Sequence, residues 1–101
     1  MNNVALTGRL GQDPEITYFE SGKAKSSFSI AVKGLKKDEA IWIKCEAWEK
    51  KAELIGEYFK KGSQIGINGR LAVDQWEEEG KKQTRTYVVV ETIDFLDKKE
   101  N

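Results

Sequence analysis

In Ile41-Trp42-Ile43-Lys44-Cys45-Glu46-Ala47-Trp48 two unlike sets of residues alternate. Ile41, Ile43, Cys45 and Ala47 fall on one side of a strand and suit a core. Trp42, Lys44, Glu46 and Trp48 fall on the other. A solvated strand face is ordinarily plain polar. This one carries two indoles with an ammonium between them. An indole on the wet side of a sheet calls for a cover, either a partner protein or the flat face of a nucleobase.

The chain has 101 residues, enough for one domain, and 39% of them are apolar. There is no apolar run of bilayer length and no secretory h-region, so a soluble, cytoplasmic protein is expected. One cysteine excludes an internal disulfide and any multi-cysteine metal site. The absence of histidine excludes Ser-His and Cys-His catalysis. No catalytic residue, metal or cofactor is expected. Seventeen basic residues balance 17 acidic ones, so phosphate binding has to come from a local patch and not from a global field.

Outward from the quoted stretch, periodicity divides the chain. Val4, Leu6, Gly8 and Leu10 share one face of a strand, with Gly8 marking a bulge or a close backbone approach. Gly11-Gln12-Asp13-Pro14 breaks it, and Glu15–Phe19 is a short strand closed into a hairpin by Glu20-Ser21-Gly22-Lys23. Phe28, Ile30 and Val32 point inward from the next strand. After Glu49 the period becomes helical: Ala52, Ile55 and Phe59 recur, Leu54 and Tyr58 widen the stripe, and Gly62 follows as a stop. A helix of about three turns is predicted.

Period two returns at Gln64, with Ile65, Ile67, Leu71 and Val73 inward and Asn68, Arg70 and Trp76 on the other side. Glu77–Lys82 is a hairpin tip. In the final strand, Thr84–Phe95, Glu91 shares the parity of Tyr87, Val89, Ile93 and Phe95, a conflict that a bulge near Glu91 would repair. Residues 1–97 therefore form one domain, with 98–101 a frayed end. Five main strands with a helix between the third and fourth is the order of an all-β OB-fold barrel, which binds oligonucleotides on its second and third strands.

The residues also resemble a family. Asn3–Glu15, Phe28–Val32, Trp42 with Cys45–Trp48, Ala52-Glu53, Tyr58–Gln64, Asn68–Leu71, Trp76 and Tyr87–Val90 are similar, in order and over nearly the whole chain, to bacterial single-stranded DNA-binding proteins. The resemblance implies an OB fold, a homotetramer, and single strands wrapped without sequence preference during replication, recombination and repair. The family's base-stacking aromatics map onto Trp42, Trp48 and Trp76. Two features depart from it. Lys33-Gly34-Leu35-Lys36-Lys37 lacks the further tryptophan many members carry there, and the acidic tip that recruits replication and repair proteins has no counterpart before Asn101.

Each site residue has a plain reading beside the functional one. Trp42, Trp48 and Trp76 are base platforms or packing surfaces. Lys33, Lys44, Lys50, Arg70 and Arg85 contact phosphates or are solvated charge, with Lys44 and Arg70 the better placed by parity. Lys36-Lys37 and Lys81-Lys82 are loop charge. Cys45 fills core; Glu46 and Glu49 are surface charge. The competing function is an OB accessory protein of the primosome type whose indoles dock a replication protein; RNA or sugar binding is a third.

Overall fold

The computed structural model describes residues 1–97, so the frayed end expected at 98–101 lies outside the described residues. Six strands and a helix follow in the order β1 (Val4–Leu10), β2 (Glu15–Tyr18), β3 (Ala24–Lys33), β4 (Ala40–Trp48), α1 (Lys50–Tyr58), β5 (Gln64–Glu78) and β6 (Lys81–Phe95). Five of the strands close into a ring, β1–β5–β6–β4–β3 and back to β1, and β2 is added outside on β3. This is OB-fold connectivity, with the helix between the third and fourth ring strands.

The ring is closed by two short contacts. At β1 the backbone passes from one neighbour to the other: Gly8 is opposite Ile65 of β5 and also opposite Val32 of β3. A Cβ on Gly8 would stand 2.5 Å from the Ala31 carbonyl oxygen, so the missing side chain is what lets three strands meet there. The open edge of this strand is thus confined to Val4–Thr7, which pair only with β5. The second closure is the parallel pairing of β4 with β6, through Cys45↔Val88 and Glu46↔Val89.

The core lies inside the ring: Leu10, Phe28, Ile30, Cys45, Ile65, Ile67, Val88 and Val90 are buried together, and Ala52 and Ile55 of α1 are buried with Phe59 just beyond it. Burial of Cys45 pushes its thiol up to about 12, so it packs as a neutral apolar group. The helix has 9 residues, less than the three turns expected. Phe59 already has extended backbone, and the exposed Leu54 and Tyr58 leave the buried stripe narrower than the sequence pattern implied. Gly56 sits in the helix because a Cβ there would run into Ile16 of β2.

The bulge expected in β6 is present. Gly69 is opposite Val90 and Asn68 opposite Thr92, so Glu91 is the extra residue. It reverses which residues face in: Val88 and Val90 before it, Ile93 after it. The inward assignment of Leu71 and Val73 fails, because both are exposed. From Arg70 onward β5 pairs only with β6, and from Ala72 and Tyr87 outward the two strands leave the ring as an arm paired with no other strand. The arm turns at Glu79-Gly80, both with positive φ, as a tight two-residue hairpin requires.

Candidate nucleic-acid interface

The alternation of β4 puts Trp42, Lys44, Glu46 and Trp48 on the outside of the ring. Opposite them on β3 stand Ala31, Ser29, Ser27 and Lys25. These neighbours are mostly small, so the β3 side forms a low floor from which the indoles rise. On the other flank Glu46 is opposite Val89 of β6, and the same parity carries Tyr87 and Arg85. Arg70, Ala72 and Asp74 of β5 face these in turn, and Trp76 follows opposite Gln83. A cleft of about 660 Å³ runs over this surface, between Trp42, Lys44, Glu46, Arg85 and Tyr87 and the loop Gly11–Asp13.

Trp42 is 60% exposed, Trp76 44% and Trp48 38%. Trp42 rests on the β1–β2 loop, where a Cβ on Gly11 would collide with its six-membered ring. That loop is pinned: Gly11 N–H donates to the Ser29 carbonyl at 3.1 Å, and Asp13 Oδ1 accepts from the Lys61 N–H at 2.8 Å. Trp48 is less free. The Phe19 ring lies nearly parallel to it, 17° apart with centroids at 5.8 Å, and Lys25 Nζ is 5.8 Å from its ring centroid. Trp76 stands on the arm opposite Gln83.

The charges differ from the expectation in one important way. Glu46 is not surface charge; it is 4% exposed on the outer side of the sheet. Long cations from both neighbouring strands lie over it, with Lys25 Nζ 3.7 Å and Arg85 Nη1 3.0 Å from its Oε2. Lys25 stands too far for a hydrogen bond, so the buried Oε2 is held chiefly by the charge of the two cations. Arg85 is also bound from β5: its Nη2 donates to Asp74 Oδ2 at 2.7 Å, and its guanidinium lies 4.4 Å from the Tyr87 ring centroid. The Tyr87 hydroxyl donates to Asp74 Oδ1 at 3.0 Å. The bonds from Arg85 and then Tyr87 hold the Asp74 carboxyl below its ordinary value, and Asp74 in turn raises Arg85. Lys25, Glu46, Arg85 and Asp74 therefore form a chain of alternating charge across four strands, and it reinforces the two-pair closure of β4 on β6.

The remaining cations are scattered. Lys44 is exposed in the cleft and Lys33 ends β3 on the indole parity. Lys50 opens α1, just past Trp48. Arg70 is exposed and pairs at 3.6 Å with Glu91, the bulge residue; it lies outside the cleft. Lys81 and Lys82 face Glu78 and Glu77 across the arm, so that tip is nearly self-neutral. Glu49 is exposed, as expected, but its N–H donates to the Ala24 carbonyl at 2.8 Å and fixes the strand-to-helix corner.

Sequence reasoning passed over Lys25, Phe19, Asp74 and Tyr87. Lys25 has the parity of Ser27 and Ser29 and was legible once the strand was begun at Ala24. The other three meet their partners only through tertiary pairing. A second cleft, about 500 Å³, opens where β4 and β6 diverge, lined by Val4, Leu6, Ile43, Leu71, Val88 and the far side of Trp42. No helix among the described residues is long and apolar enough to cross a membrane.

Residues 1–96 match the single-strand binding protein family. The chain is 47% identical to a single-stranded DNA-binding protein of Fusobacterium nucleatum, over 94% of this chain and 66% of the relative. It is 43% identical to single-stranded DNA-binding protein 1 of Synechocystis sp., over 98% of this chain and 86% of the relative. With single-stranded DNA-binding protein 2 of Nostoc sp. the identity is 39%, over 95% of this chain and 78% of the relative.

Proposed function

This chain belongs to the single-strand binding protein family, and on that premise we propose that it binds single-stranded DNA without sequence preference, protecting exposed strands in replication, recombination and repair. The family is non-catalytic, and the chain is not an enzyme. The observation that carries the reading is the exposure of Trp42 and Trp48 on β4 and of Trp76 on β5, the two strands that flank β6. Every base has a π-face, so indoles accept any sequence, at about 1–3 kcal/mol per stacked base.

In this reading Trp42, Trp48 and Trp76 stack bases. Lys44 in the cleft, with Lys33, Lys50, Arg70 and Arg85 around it, follows the phosphates. Arg85 does so only by giving up part of its hold on Glu46 and Asp74. Residues 1–97 act as a single binding domain, in the cytoplasm on nucleoid DNA. The protein assembles as a homo-oligomer, a tetramer by family likeness. Its contact runs along Asn3–Leu10, where the unpaired side of Val4–Thr7 offers backbone groups to another strand. Light scattering at micromolar concentration tests the assembly, and a monomer contradicts it.

Titration with oligo(dT) while tryptophan emission is followed tests the function. Saturable quenching by oligo(dT), not competed by oligosaccharide, is the expected result, and tighter binding of RNA would favour the RNA-binding alternative. Quenching only by a replication protein would establish the docking role of an accessory protein instead.

A further inference from the structure

Trp48 is paired before any DNA arrives. Its neighbour Phe19 lies immediately after β2, at the mouth of the β2–β3 turn, where its N–H donates to the Lys23 carbonyl at 2.9 Å and its carbonyl accepts from Gly22 at 2.8 Å. The backbone of Phe19 is therefore held, and its ring is nearly parallel to the indole at a centroid distance of 5.8 Å. Parallel rings in contact stand about 3.5–4 Å apart face to face, so a longer centroid distance means that the two are slid past one another. Each ring then keeps uncovered surface, and Phe19 remains 41% exposed although it is packed. Phenylalanine has no polar edge to account for such exposure. Tyr18 beside it is exposed as well, and the turn brings Lys23 and Lys25 to the same end of the sheet.

We propose that Phe19 is a further base platform, so that a single strand leaving Trp48 continues onto the Phe19 ring and over the β2–β3 turn. The inference rests on the single-strand-binding reading above and names the next subsite along that path. The pile of two rings offers a base the free surface of Phe19, and Lys25, 5.8 Å from the Trp48 ring centroid, stands where the adjoining phosphate would pass. The platform lies at the opposite end of β4 from the aromatic-free loop Lys33–Glu39, so the path is extended in the direction where stacking surface exists.

The test uses three variants of the full chain with oligo(dT) of increasing length. Phe19→Leu keeps an apolar side chain but has no π-face, and Phe19→Ala removes both. If Phe19 stacks a base, both weaken binding of long oligo(dT) by about fivefold or more, while the shortest oligonucleotide that wild type binds is affected less. Phe19→Trp retains affinity, and its added emission is quenched at saturation along with that of the native indoles. Wild-type binding that Phe19→Leu leaves unchanged at every length, or an added indole whose emission DNA does not quench, overturns the proposal. Losses in Phe19→Leu that are equal at all lengths also overturn it, because they mean that Phe19 only props Trp48. Absence of oligo(dT) binding by wild type is a different result, and it defeats the single-strand-binding reading itself.

Discussion

Replacing Glu46 by glutamine tests how the groove's charge is arranged. The substitution keeps the shape of the side chain and removes one negative charge from beneath the cleft. In the free protein that charge holds Lys25 at 3.7 Å and Arg85 at 3.0 Å. A carboxylate about 8 Å from a bound phosphate repels it by about 2 kcal/mol at an effective dielectric constant of about 20. Full screening over a Debye length of about 8 Å would leave about 0.8 kcal/mol at physiological salt, and a buried carboxylate is screened less, so the change in affinity is roughly fourfold or more. Each cation released to a phosphate adds about 0.7 to the magnitude of the log–log salt slope, so Arg85 alone adds about 0.7 and both cations about 1.4.

Glu46→Gln should therefore bind oligo(dT) several-fold more tightly at physiological salt and with a steeper salt dependence. The same change should lower stability. Removing one partner of a buried pair costs about 3–5 kcal/mol, and the partial exposure of Lys25 and Arg85 reduces that to about 1–3 kcal/mol. The assay is a fluorescence titration across sodium chloride concentrations, with urea unfolding of the same variant. Unchanged affinity and slope would refute the idea that Glu46 withholds cations from DNA. Weaker binding with a flatter slope would reverse its role, because Glu46 would then be presenting Arg85 to the phosphate.

Two other outcomes follow from the same geometry. Arg70→Ala should flatten the salt slope by about 0.7 if Arg70 leaves Glu91 for a phosphate; identical slopes in titrations of the two proteins remove it from the path. Cys45 gives an alkaline effect: its thiol is raised from 9.0 to about 12 in the folded chain, so its contribution is complete below pH 9 and is lost as pH rises toward 12. The loss is about 1.4 kcal/mol per pH unit. Urea midpoints at pH 8 and pH 10.5 should thus show wild type losing about 2 kcal/mol more than Cys45→Ala, and equal losses would contradict the assignment.

Alternation along a strand is visible in sequence because it is local. The outward parity of Trp42 and Lys44, the inward parity of Ile30 and Ile65, the close approach at Gly8 and the bulge at Glu91 could all be read from spacing alone. What covers a face is not local. Glu46 has the parity of an exposed residue and is buried because Lys25 and Arg85 reach over it from two other strands. Leu71 and Val73 have apolar character and the right period, yet are exposed because β5 outruns the ring and has no strand on its second side. The short helix has the same kind of cause. Phe59 belongs to its stripe but turns extended so that Gly62 and Ser63 can bond to Leu10. Three outward indoles were legible, and all three are exposed, whereas the ring stacked on Trp48 came from a turn that sequence spacing does not connect to it.

The most direct test of base stacking as the main source of affinity is oligo(dT) binding by wild type and Trp42→Ala at high salt. Trp42 is 60% exposed, so the variant should keep its fold, which circular dichroism verifies. High salt suppresses the counterion-release contribution and leaves stacking. Wild type should still bind, and Trp42→Ala should bind about 5- to 150-fold more weakly. Wild-type binding that vanishes at moderate salt, or equal affinity in a folded Trp42→Ala, would contradict it.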